Sequence, residues 1–188
     1  LKTLERAQGS DQSFEETLST ILRACLGNGA ASARLLMLEI DATADKNALR
    51  LRLGQGRLNR LYAYMDTTIM QHLPETGNLV LSDIKISQVF GLPEDNPYPK
   101  ALIAFAVGQG ETQAGALWIG FDENRWFSQA DIDYYEHLKK RASALIQNTE
   151  QIASAKNKRD QYASMLDSIP DMLLFFDQDM RLVYANQA

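Results

Sequence analysis

The stretch KALIAFAVGQGETQAGALWIGFD, residues 100–122, constrains the fold more than any other part of the chain. Two apolar runs flank a loop that holds Gly108, Gly110 and Gly115, which is the pattern of a β-hairpin. ARLLMLEIDA and ALRLRLGQG read as an antiparallel pair joined by the polar TADKN. The second run alternates Leu49, Leu51 and Leu53 with Arg50 and Arg52, so one of its faces is wet. NLVLSDI adds a buried strand.

Helical signals frame these strands. In SFEETLSTILRACLGNG, Ser13 and Glu16 have the spacing of a capping box and predict a helix start. Phe14, Leu18, Ile21, Leu22 and Cys25 then line one face, and Gly27 or Gly29 can end the helix. Leu58 to Met65 fits both helical and strand periodicity, and both readings stay open. From Asp66 a cap-like start, Ile69 and Met70, then Pro74 and Gly77, predict a short helix. RWFSQADIDYYEHL opens the last long helix, with Ser128 as cap, Asp131 three residues on, and Phe127 and Ile132 placed to staple the first turn. From Leu138 a heptad seam runs through Ala142, Leu145, Thr149, Ile152, Lys156, Arg159, Ala163 and Leu166, apolar at first and polar later. Such a seam predicts a weak coiled coil and a homodimer. The chain closes on two more apolar runs, Leu173 to Phe176 and Leu182 to Tyr184, around Asp177, Gln178 and Asp179, a terminal hairpin.

Charge narrows the functional classes. A formal charge of -5 and a pI near 5.1 argue against unspecific binding to nucleic acid or an anionic membrane, which both need a positive field. The lone Cys25 allows no internal disulfide, and no apolar run approaches the ~20 residues of a membrane helix, so a cytoplasmic segment is expected. Both ends of the chain are expected to be cut from a longer protein.

Four stretches together resemble the GAF family over residues 13–150: the first helix, LPETGNLVLSDI with Thr76, Gly77 and Asp83, the hairpin ending AGALWIGF, and FSQADIDYYEHL leading into ALIQN. The resemblance implies an α+β fold, a twisted antiparallel sheet of about five or six strands with helices on its faces and a long C-terminal helix. It implies a regulatory sensor module without catalysis of its own, found in sensor kinases or cyclic-dinucleotide enzymes. MLDSIPDMLLFFDQDMRLVYANQA is similar to the opening of a PAS domain. The organisation expected is an incoming helix at 1–12, a GAF domain at 13–150, a signalling helix at 151–168 and the start of a PAS domain at 169–188, with further PAS and effector domains downstream.

The same resemblance implies a small-molecule pocket whose candidate lining is Tyr62, Tyr64, His72, Asp83, Tyr98, Phe105 and Trp118, and it leaves the ligand or cofactor unknown. Leu138, Ala142, Leu145, Thr149 and Ile152 are the candidate dimer and signalling residues. Against the family's cyclic-nucleotide signature, Asn124, Phe127 and Asp131 align, whereas Arg125 stands for Lys and Ile132 for Glu. Cys25 lies in the first helix, away from the usual pigment-bearing segment, which argues against a covalent chromophore, and it reads as core. His72 reads as a surface or capping residue near Pro74, with a ligand-facing role as the alternative; His137 reads as structural. The GQG triplets at 54 and 108 read as turns, because the first lacks a third Gly and the second joins two strands. No metal set, phosphate loop or nucleophile elbow is present in the sequence.

Overall fold

The computed structural model describes residues 2–41, 46–73, 77–82, 86–93, 96–109 and 112–186, and divides into two compact units, Leu1–Leu145 and Ile146–Ala188. In chain order the elements are α1 (Lys2–Leu26), β1 (Ser32–Asp41), β2 (Lys46–Gln55), a 3-10 turn (Ala63–Met65), α2 (Asp66–His72), β3 (Asn78–Leu81), α3 (Ile86–Val89), β4 (Ala101–Gln109) and β5 (Thr112–Phe121). Then follow α4 (Gln129–Asp167), β6 (Leu174–Phe176) and β7 (Leu182–Ala185).

The first unit is built on a five-stranded antiparallel sheet in the order β2-β1-β5-β4-β3. The hairpin expected at residues 100–122 forms its middle, with Ala104 opposite Trp118 and Phe105 opposite Leu117. Every residue from Ala101 to Val107 and from Gly115 to Phe121 is buried. These strands are therefore covered on both faces, which is why they read as unbroken apolar runs instead of alternating ones.

Side chains alternate between the two faces. Leu36, Leu102, Ala104, Ala106, Ala116 and Trp118 face a cluster with Tyr62, Met65, Ile69, Leu73, Ile86 and Phe90, which come from the 3-10 turn, α2, α3 and their flanks. The opposite face carries Leu35, Ile103, Phe105, Leu117, Ile119 and Phe121, all buried. On that side Phe121 meets Tyr135 edge to face at 6.3 Å, and the Tyr134 hydroxyl donates to the Ala24 carbonyl at 3.0 Å. Ser19 of α1 accepts from Gln55 of β2 at 3.1 Å, and Arg52 lies over the Phe14 ring. Phe14, Leu18, Ile21, Leu22 and Cys25 are buried as the periodicity of α1 predicts, each apolar side chain contributing about 1.5–3 kcal/mol when fully covered.

Several local expectations are corrected. Ser13 does not start a helix: α1 runs unbroken from Lys2, and the Ser13 carbonyl accepts from the Thr17 hydroxyl one turn on. The Ser/Glu spacing also occurs inside helices, and it marks an end only where the chain upstream is not helical. Asp66 does not cap α2 either. The N-cap position is Met65, with no side-chain cap, because the Asp66 carboxylate is engaged elsewhere. β3 is an edge strand whose first residue is exposed and whose middle is only half-buried, not a fully buried strand. The ambiguous stretch before Asp66 resolves into turns and one short 3-10 helix.

Within α4 the first two seam positions are not free for a partner. Leu138 and Ala142 are buried in the single chain together with Tyr135, at helical spacing. Leu145 and Thr149 are half-buried, and Ile152 is 70% exposed. In the second unit, β6 and β7 pair antiparallel as the sequence predicts, with Phe175 opposite Tyr184. Among the described residues, no helix is long and apolar enough to cross a membrane.

Candidate functional site

The face of the sheet toward α2 and α3 carries the most unusual chemistry of the molecule. Arg34 stands opposite Trp118 in the β1–β5 register and is only 2% exposed. A buried guanidinium must be paired, and here Asp66 and Asn59 supply the partners. Its Nε donates to Asp66 Oδ1 at 2.8 Å and its Nη2 to Asp66 Oδ2 at 2.5 Å, a two-pronged contact that matches the flat fork to the carboxylate. Nη1 donates to the Asn59 backbone carbonyl at 2.6 Å and also to the Asn59 side-chain oxygen. Trp118 Nε1 completes the set by donating to Asp66 Oδ1 at 2.9 Å.

Local sequence explains how these groups meet. The turn after β2 carries Asn59 back across the strand, where a Cβ on Gly54 would lie 2.2 Å from the Asn59 Oδ1; only glycine leaves that space. Asp66 sits at the first position of α2, directly after the 3-10 turn, so its carboxylate projects toward β1 and β5. Tyr62 is buried beside Trp118 and Gly120, and burial is the main cause that pushes its phenol pKa upward, helped by Asp122 and opposed by Arg57.

The ring-bearing residues expected around a pocket are not all brought together. Tyr62 and Trp118 are together in the buried cluster, with Tyr98 packed against it. Tyr64 is 40% exposed and meets Tyr98 edge to face at 5.7 Å; its hydroxyl donates to the Pro97 carbonyl at 2.9 Å, and the Tyr98 hydroxyl donates to Pro93. Burial pushes the Tyr64 phenol up to about 12, so it remains a neutral donor at physiological pH. His72 is exposed, its Nδ1 bonded to the Thr68 carbonyl at 2.9 Å and its ring 4.8 Å from that of Phe90. Phe105 is not on this side at all: it lies on the α1 and α4 face, between Ala104 and Ala106, which point the other way. Asp83 lies outside the described residues.

Arg34, Asn59 and the bonding role of Asp66 escaped sequence reasoning. The one available signal was a lone Arg inside the apolar run of β1, since a charge at a core position requires a partner.

The residues aligned with the nucleotide signature lie elsewhere. Asp131 and Ser128 form the reciprocal cap of α4: Asp131 Oδ2 accepts from the Ser128 backbone N–H at 3.0 Å and hydroxyl at 2.6 Å, and the Ser128 Oγ accepts from the Asp131 N–H at 3.2 Å. Arg125 bonds Asp131 Oδ1 at 2.8 Å and covers the rings of Phe121 and Phe127. The Ser128 bonds, followed by Arg125, hold the Asp131 carboxyl below its ordinary range. We expect Ser128→Ala and Asp131→Ala each to cost about 1–2 kcal/mol in urea unfolding. Because the Asp131 pKa is lowered by folding, its contribution is present above the usual Asp range and is lost as pH falls through the native value. The stability of Asp131→Ala should therefore fall less steeply in acid than that of the parent chain.

Cys25 is fully buried on α1, and burial holds its thiol up at about 12. Among the described residues, no group of three or more His, Cys, Asp or Glu could hold a metal ion.

The sheet order, the helices on both faces and the long last helix define a GAF-like α+β domain. Solved structures agree with that class. The GAF domain of a two-component sensor histidine kinase from Bacillus halodurans matches with a TM-score of 0.52 and 13% identity, covering 76% of this chain and 97% of that one. A GAF domain from Synechocystis sp. PCC6803, solved in its photoproduct state, matches with a TM-score of 0.56 and 10% identity over 75% and 98%. A red/green cyanobacteriochrome in its red light-absorbing state matches with a TM-score of 0.51 and 16% identity over 74% and 97%. No protein-family profile matches the chain, and no curated protein matches it.

Proposed function

We propose that the chain is the regulatory sensor segment of a signal-transduction protein, in which a small molecule held over the Trp118 face biases the helical output of α4. The observation that carries the reading is α4 itself. From Gln151 to Tyr162 every residue is exposed, yet helices of this kind draw most of their stability from packing. A second copy of the chain, paired from Leu145 and Thr149 onward through Ile152, would supply that packing, and the weak polar seam beyond it suits two alternative arrangements. The solved GAF neighbours from sensor kinases support the assignment by analogy of fold.

A second reading is favoured by the Arg34 cluster. Its donors and acceptors satisfy one another, so the floor of the face already has the polar partners a ligand would otherwise provide. In that reading the domain dimerises and transmits a signal without binding anything.

Two measurements decide. Sedimentation should show a dimer at micromolar concentration that Ile152→Asp dissociates; a monomer unchanged by the substitution rejects the helical output. Native mass spectrometry and an absorption spectrum of the purified protein should reveal a retained small molecule under the sensor reading. The bare chain mass, with the dimer intact, favours transmission alone.

A further inference from the structure

Among the described residues of the second unit, one polar side chain is buried. Asn186 directly follows β7 and is only 9% exposed, whereas the hairpin around it is open: Leu174, Phe175, Phe176, Leu182 and Val183 are all exposed by 44% or more. Apolar burial therefore does little to hold this hairpin, and a two-stranded ribbon is marginal by itself. Helix α4 has the complementary deficit, because the last carbonyls of any helix lack intrahelical partners.

One side chain links the two. Asn186 Nδ2 donates toward the carbonyls of Leu166 at 3.2 Å, Ile169 at 3.1 Å and Asp171 at 2.9 Å. Its Oδ1 accepts from the Leu173 N–H at 2.8 Å, and its own backbone N–H donates to the Leu173 carbonyl at 3.1 Å. Tyr184 adds a second tie from β7, its hydroxyl donating to Asp167 at 2.8 Å. The amide thus reaches the Leu166 carbonyl in the last turn of the helix, which also accepts from the Ile169 N–H at 3.2 Å, and the Ile169 and Asp171 carbonyls just beyond it, while closing the open end of the hairpin.

We propose that Asn186 is a conformational lock that makes the end of α4 and the β6–β7 hairpin one cooperative element, so that whatever engages or opens the hairpin also sets where the helix stops. The device depends on both partners. An unformed hairpin leaves the Leu166, Ile169 and Asp171 carbonyls without the Asn186 amide, and a frayed helix end leaves that buried amide unsatisfied. It operates irrespective of what the first unit binds.

Hydrogen exchange on the whole chain tests it with a lesion placed far from the lock. Asp177 Oδ1 accepts from the N–H groups of Asp179 and Arg181 in the hairpin turn, and among the described residues Asp177 bonds only within that turn. Asp177→Ala should speed exchange of hairpin amides about tenfold and should speed the helix-end amides of Ser168 and Ile169 by a similar factor. Phe175→Pro, which cannot pair in the ladder, gives an assured hairpin lesion with the same expected spread. In an Asn186→Ala background the turn substitution should no longer reach Ser168 and Ile169. Unchanged amides in β4 and β5 show that the first unit remains folded. If hairpin lesions leave Ser168 and Ile169 as protected as in the parent chain, or reach them equally without Asn186, the lock is refuted.

Discussion

Asp66→Ala is expected to lower the unfolding free energy by about 3–5 kcal/mol, because it strands the Arg34 guanidinium in a site where that residue is only 2% exposed. The loss is larger than the worth of the ion pair, since most of it is the cost of a buried charge without its counter-ion. Trp118 loses its acceptor in the same step. Replacing both partners by apolar side chains of similar size, Arg34→Met with Asp66→Leu, should recover much of the loss, as the charge and its desolvation disappear together. Urea unfolding of Asp66→Ala and of the double variant gives the comparison. A small effect of Asp66→Ala, below about 1 kcal/mol, would mean that water reaches Arg34 and that the cluster behaves as a surface pair.

Gly56→Ala is expected to cost about 3 kcal/mol by the same measurement. Gly56 has φ +104°, a conformation that costs a side-chain-bearing residue roughly 1–2 kcal/mol. An added Cβ would also lie 2.4 Å from the Ala31 carbonyl oxygen, which cannot retreat because it accepts from the Leu58 N–H at 3.0 Å. The strain falls on the turn that carries Asn59 to Arg34. A functional readout should therefore follow the structural one: any molecule retained over the Trp118 face by the parent chain should be retained less well by this variant.

Why some features were legible and others not follows from where their causes lie. The Ser128–Asp131 cap is a local device, complete within four residues, and it forms as the spacing predicts. The central hairpin was legible from the length of its apolar runs. That same feature hid the placement of Phe105: a strand buried on both faces has no polar residues to show which side chains point to which layer. The Arg34 cluster was illegible for a third reason. Its members come from β1, the turn after β2, the start of α2 and β5, so only the closed tertiary fold brings them together. Asp66 shows the conflict directly, for its local sequence suits a helix cap while its carboxylate serves two distant donors.

The strand order has a consequence for how the chain acquires its structure. β1 leaves a growing chain early, and β2 can pair with it at once, but its other edge accepts β5, with Ser32 opposite Gly120. During synthesis the β1–β2 ribbon must wait, one hydrogen-bonding edge open, until nearly the whole first unit has emerged. Closing so long a loop is entropically slow, and an open apolar edge is the surface on which nascent chains mispair. The vulnerable interval ends when β5 arrives and joins the two halves of the sheet, so chaperone dependence and inclusion-body formation should respond more to changes in β1 and β5 than to changes in α4.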